Sequence, residues 1–72
     1  MSIHAARVDE PLVVSPRRAQ QMLDIGHSRL YELLSGGELR SFKDGKSRKI
    51  VVESIRDYVA RKLAANPAGL SR

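Results

Sequence analysis

Cysteine and tryptophan are absent from this chain, and only Tyr31, Phe42 and Tyr58 among its 72 residues are aromatic. Without cysteine there is no disulfide scaffold and no thiolate metal site of the zinc-finger kind, so the fold must rest on packing alone. Three rings are too few for a platform that stacks the bases of a single strand. No apolar run reaches the roughly 18 residues that a membrane-spanning helix requires. The first ten residues include Arg7, Asp9 and Glu10 and lack the apolar stretch of a secretory leader, which predicts a cytoplasmic protein. His4 and His27 are the only histidines, and no phosphate-loop glycine pattern is present. Little remains from which to build a catalytic or metal centre, so no enzyme activity, metal or cofactor is expected.

What the chain does have is positive charge. Thirteen lysines and arginines face eight acidic residues, a net +5 on a chain long enough for one small domain. Such an imbalance favours a polyanionic partner. The excess is local: residues 39–49 carry five basic groups and one acid, whereas residues 1–38 carry four and five.

The pattern of apolar residues places this charge on a framework. Residues 1–11 and 66–72 show no sustained period and are expected to be mobile segments flanking one domain, 12–65. Ser15 is a helix cap before Pro16, and Ala19, Met22 and Leu23 follow at helical spacing, predicting a helix from about Pro16 to Leu23. Asp24, Ile25 and Gly26 form a tight turn, and Leu30, Leu33 and Leu34 resume the helical period until Gly36 and Gly37 end it.

From Leu39 to Val51 the sequence reads as strand, turn and strand around Asp44-Gly45. A three-residue loop, Asp44 to Lys46, pairs Lys43 with Ser47 and gathers Phe42 and Ile50 on the core face, which is the expected register. A third helix over roughly Glu53 to Ala64 then directs Ile55, Tyr58, Val59 and Leu63 inward. Its start lacks a capping side chain, so the hairpin is expected to fix it. The fold class is thus mainly α with a small β-hairpin: helix, turn, helix, a two-stranded wing, and a C-terminal helix.

A helix-turn-helix beside a basic hairpin points to double-stranded DNA. In this motif the N-terminal residues of the second helix reach base edges in the major groove while the first helix crosses the backbone. His27, Ser28, Arg29 and Glu32 are the predicted base-reading residues, with Arg29 suited to a bidentate contact with guanine. The simpler reading pairs Arg29 with Glu32 as a solvated surface pair. Arg17 and Arg18 in the first turn of helix one are placed to meet a phosphate. In the hairpin, Arg40, Lys43, Lys46, Arg48 and Lys49, with Ser47 and the close-approaching turn at Gly45, are predicted to track the phosphate backbone. A charged strand that only guards a sheet edge is the alternative.

Residues 14–59 resemble the excisionase-type DNA-binding domains, winged helix-turn-helix relatives of the MerR regulators. The carrying residues are Ala19 with Leu23, the block Ser28-Arg29-Leu30-Tyr31-Glu32-Leu33-Leu34, then Gly37-Glu38-Leu39, Gly45, Ile50 and Glu53 to Tyr58. The resemblance implies a second helix in the major groove and a wing on the adjacent minor-groove backbone. Glu32 departs from the family's frequent basic residue, and Asp44 and Arg48 replace apolar wing positions. A stand-alone module of this kind resembles the phage and prophage excisionases, recombination directionality factors that bind several sites in an attachment region, bend it, and recruit a tyrosine integrase. Expected partners are therefore attachment-region DNA, a tyrosine integrase and other copies of the chain on DNA, with no small-molecule effector. A small transcriptional regulator of the same fold is the runner-up, and a basic module docking on an acidic protein is the third reading.

Overall fold

The computed structural model describes residues 10–66. Most of the two segments expected to be mobile lies outside the described residues. The chain runs through β1 (Val13–Val14), α1 (Pro16–Leu23), α2 (His27–Ser35), β2 (Ser41–Asp44), β3 (Ser47–Val51) and α3 (Val52–Ala65). Three helices and a three-stranded antiparallel sheet make a mixed α/β domain of winged-helix type, with strand order β1-β3-β2. No helix among the described residues is long and apolar enough to cross a membrane.

The first helix forms as its sequence dictates. Ser15 caps it by accepting a hydrogen bond from the Arg18 amide at 3.1 Å, and Pro16 occupies the first turn where its missing N–H is harmless. It ends on Asp24 in the left-handed region, φ 57°, where the Asp24 and Ile25 amides donate back to Gln21 and Gln20. Aspartate is one of the few non-glycine residues that tolerate this conformation. At the end of α2 it is Gly37, φ 79°, that turns left-handed, while Gly36 stays right-handed. The Glu38 amide then donates to Leu33 at 2.9 Å and the Gly37 amide to Leu34 at 3.2 Å, closing the last carbonyls of the helix.

The hairpin differs from the expected one. The observed pairs are Ser41 with Ile50, Phe42 with Lys49, Lys43 with Arg48 and Asp44 with Ser47, around a two-residue turn of Gly45 and Lys46. Gly45, φ 67°, sits first in that turn, the position that a two-residue hairpin of the II′ kind reserves for glycine. The shift in parity sends Phe42 to the outer face, 47% exposed, while Ile50 is wholly buried. The expectation that Phe42 joins the core assumed that no large apolar residue is left outside, which folded proteins do not obey. Lys43 and Lys49, expected on one face, lie on opposite faces.

The sheet has a third strand because Val13 pairs with Val51 and Val14 with Ile50. The core gathers Val14, Ala19, Leu30, Leu33, Leu39, Ile50, Val52 and Ile55, bordered by Leu23, Ile25, Tyr31, Leu34 and Tyr58. Val59 and Leu63, expected inward, are exposed, and so is Met22. The last two turns of α3 extend beyond what a core this small can cover, and Met22 sits at the edge of the α1 apolar stripe.

β3 passes straight into α3, whose cap residue Val51 makes no side-chain cap. The Val52 amide instead donates at 3.0 Å to the carbonyl of Leu12, just before β1 and outside the hairpin expected to fix this start, while the Val51 amide donates to Arg40 at 2.9 Å. Ser54, buried in the first turn, donates to the Val51 carbonyl at 2.7 Å and accepts from the Arg40 amide at 3.0 Å. One hydroxyl thereby ties the entry of β2 to the exit of β3.

Candidate nucleic-acid interface

Leu30 and Leu33 hold α2 against the core, and 100° per residue places Ser28, Glu32 and Ser35 on the opposite side. His27, Ser28, Tyr31, Glu32 and Ser35 together line a shallow open surface along this face. His27 and Tyr31, one turn apart, approach with ring centroids 4.6 Å apart at 36°. Of the four residues predicted to read bases, Ser28 and Glu32 therefore lie centrally, and His27 and Arg29 flank them. Tyr31 and Ser35 were missed. Their spacing of i, i+4 and i+8 from His27 was the available signal.

Arg29 donates to Glu32 at 3.0 Å, with both side chains substantially exposed. The guanidinium is held above its ordinary value by the hydrogen bond to Glu32 and, second, by the Tyr58 hydroxyl. Tyr58 belongs to α3, where Lys62 lies over its ring at 5.6 Å from the centroid.

Arg17 and Arg18 are exposed on the first turn of α1. The Arg18 amide is already engaged by Ser15, and its guanidinium donates to Gln21 at 3.2 Å, so the cap and not a free helix end faces any anion here. In the hairpin, Lys43, Gly45, Lys46 and Ser47 form the exposed end, and Lys49 lies half-buried on the outer face beside Phe42. Arg48 donates to Ser41 Oγ at 2.8 Å across the strands, which braces it along the hairpin. Arg40 stands apart from this group, 4.0 Å from Asp57 on α3.

Acidic groups are distributed so as to leave the hairpin positive. Glu10 pairs with Arg56, and Glu38 accepts from Arg61 through both its carboxylate and its carbonyl at 3.0 Å. Lys43, Lys46 and Lys49 make no ion pair among the described residues. The described surface thus offers a polar helix face and, in the next elements of the chain, a hairpin with several unneutralised cations. Among the described residues no group of three or more His, Cys, Asp or Glu is placed to hold a metal.

The chain is similar to a protein of Saccharopolyspora erythraea described as a probable excisionase, at 31% identity over 64 residues, which cover 89% of this chain and 65% of that protein. The chain thus spans just under two thirds of that relative's length. No family model matches the sequence, and no solved structure matches the chain significantly.

Proposed function

We propose that this chain is an excisionase-type DNA-binding protein of the MerR-like winged helix-turn-helix kind, acting without catalysis of its own to direct a tyrosine integrase toward excision. The observation that carries the reading is the polar face of α2 together with a hairpin whose Lys43, Lys46 and Lys49 make no ion pair among the described residues. The likeness to a probable excisionase supports it. In this reading α2 lies in the major groove with His27, Ser28, Arg29 and Glu32 toward base edges. The hairpin follows the adjacent backbone through Lys43, Gly45, Lys46, Ser47, Arg48 and Lys49. Arg17 and Arg18 meet phosphates from the other side, and Arg40 joins them once Asp57 releases it.

A nine-residue recognition helix reads only a few base pairs, so specificity requires several copies on adjacent sites. Copies about one helical turn apart act from one face, and their bends add. Bending 20 to 30 base pairs by 40 to 90° costs about 1 to 6 kcal/mol, which phosphate contacts from several copies offset. If each copy neutralises about four phosphates, the log-log salt slope is about −3.6 and affinity falls about 150-fold between 50 and 200 mM salt.

The test is recombination in vitro with a cognate tyrosine integrase and its attachment sites, with and without added protein, alongside footprinting. Excision that depends on the protein is the expected result. Excision indifferent to it, with footprints at a promoter whose output changes, would replace the reading by that of a small transcriptional regulator. Affinity unchanged between 50 and 200 mM salt would remove nucleic acid altogether and favour docking on a protein.

A further inference from the structure

Phe42 is the largest apolar side chain left exposed among the described residues, at 47%, and the one such side chain that lies in the basic hairpin. Its register partner on β3 is Lys49, so the two leave the same face of the sheet with Cβ atoms about 4.5 to 5.5 Å apart. Asp44, two residues on, shares that face. Ile50 fills the opposite face with no exposure, and the ring takes no part in the core cluster there. Lys43, Lys46 and Lys49 make no ion pair among the described residues.

A single exposed ring is ordinary in a folded protein, and what singles this one out is its company. Whatever covers Phe42 must also cover the side chain directly opposite it, a lysine without a counter-charge. A protein surface would have to bury that cation unpaired or bring a carboxylate to it. A nucleic-acid backbone meets both demands within one repeat, because each phosphate is followed by the apolar edge of a sugar. We propose that Phe42 is the apolar contact of the hairpin, its ring seated on a deoxyribose of the strand whose phosphate Lys49 holds. This rests on the DNA-binding reading above. The contact carries no base information. It displaces no counterion, so its contribution persists at salt concentrations that weaken the lysines.

The experiment compares the wild type with Phe42→Thr, Phe42→Leu and Lys46→Ala by fluorescence anisotropy between 50 and 200 mM salt, with circular dichroism to establish that each is folded. Threonine suits a strand but removes the ring, and leucine keeps part of its apolar area. The probes are a duplex selected by the wild type from random sequence and trimmed to one bound copy, a random duplex of the same length, and a longer duplex holding several copies. Covering the exposed half of a phenylalanine is worth about 4- to 13-fold in affinity, so Phe42→Thr is expected to lose that factor for a single copy. The loss should be equal on selected and random duplexes and the same at every salt concentration, leaving the log-log slope unchanged. Phe42→Leu should lose less than Phe42→Thr, and Lys46→Ala should flatten the slope by about 1.

A loss confined to the selected duplex would overturn the proposal by giving the ring a base to read. A loss on the longer duplex with none on the single-copy duplex would overturn it in favour of a contact between copies. If Lys46→Ala flattens the slope while Phe42→Thr binds as the wild type does, only the seat of the ring fails and the DNA-binding reading stands. If the wild type binds no duplex, both fail.

Discussion

Ser54→Ala tests how the hairpin is anchored. The Ser54 side chain is 3% exposed, and its hydroxyl donates to the Val51 carbonyl and accepts from the Arg40 amide. Alanine fills nearly the same space, so the packing change is small, but the Arg40 N–H is left in a half-buried place with no acceptor. Stranding a buried donor costs about 1 to 3 kcal/mol, against a total stability for a domain of this size of about 4 to 11 kcal/mol. For a domain of 60 to 100 residues each kcal/mol lowers the melting temperature by about 4 to 8 °C, so a loss of 2 kcal/mol lowers it by about 8 to 16 °C. Urea unfolding followed by circular dichroism measures the same loss as a lower midpoint at unchanged slope. A change below about 0.5 kcal/mol, the range of an ordinary surface substitution, would refute the reasoning and mean that water or local rearrangement satisfies the Arg40 amide.

Other substitutions test other links. Gly37→Ala forces a side chain into the left-handed region at φ 79° and should destabilise by about 1 to 2 kcal/mol although the space around the new Cβ is open, as thermal melting would report. Ile50→Ala should cost about 2 to 5 kcal/mol in urea unfolding, whereas Phe42→Ser, on the outer face, should stay near 1 kcal/mol or less. The reverse order would restore the three-residue loop. Lys46→Ala should weaken binding to selected and random duplexes alike and reduce the salt slope by about 1, measured by fluorescence anisotropy at several salt concentrations.

Much of this architecture is legible in the sequence because its signals are local. Ser15-Pro16, the leucine spacing of α2 and Gly36-Gly37 act within a few residues, and the helices fall where those residues put them. The hairpin register was not legible, because a parity argument depends on which apolar residues are left outside. The small core takes Leu39 and Val52 and leaves Phe42 exposed. β1 was missed for a related reason: Val13 and Val14 become a strand only through partners at Val51 and Ile50. At the candidate interface, charge type and helix phase located the hairpin cations and the outward face of α2. The approach of Arg40 to Asp57 at 4.0 Å depends on how the entry of the hairpin meets α3, which no local pattern encodes.

The strand order has a kinetic consequence. α1 and α2 are neighbours in sequence and can associate early, but the central strand β3 must receive β1 from the far side of the helical pair, position 14 against position 50. Closing a loop of about 36 residues costs about 3 kcal/mol of chain entropy beyond a constant, and nothing is recovered until the contact forms. The β1 to β3 seam is therefore expected to close last, after the helices and the hairpin have set. Val14→Ala should accordingly speed unfolding while leaving the refolding rate nearly unchanged. During synthesis the helical pair can form as soon as it emerges, yet the domain cannot lock until Val51 has followed it.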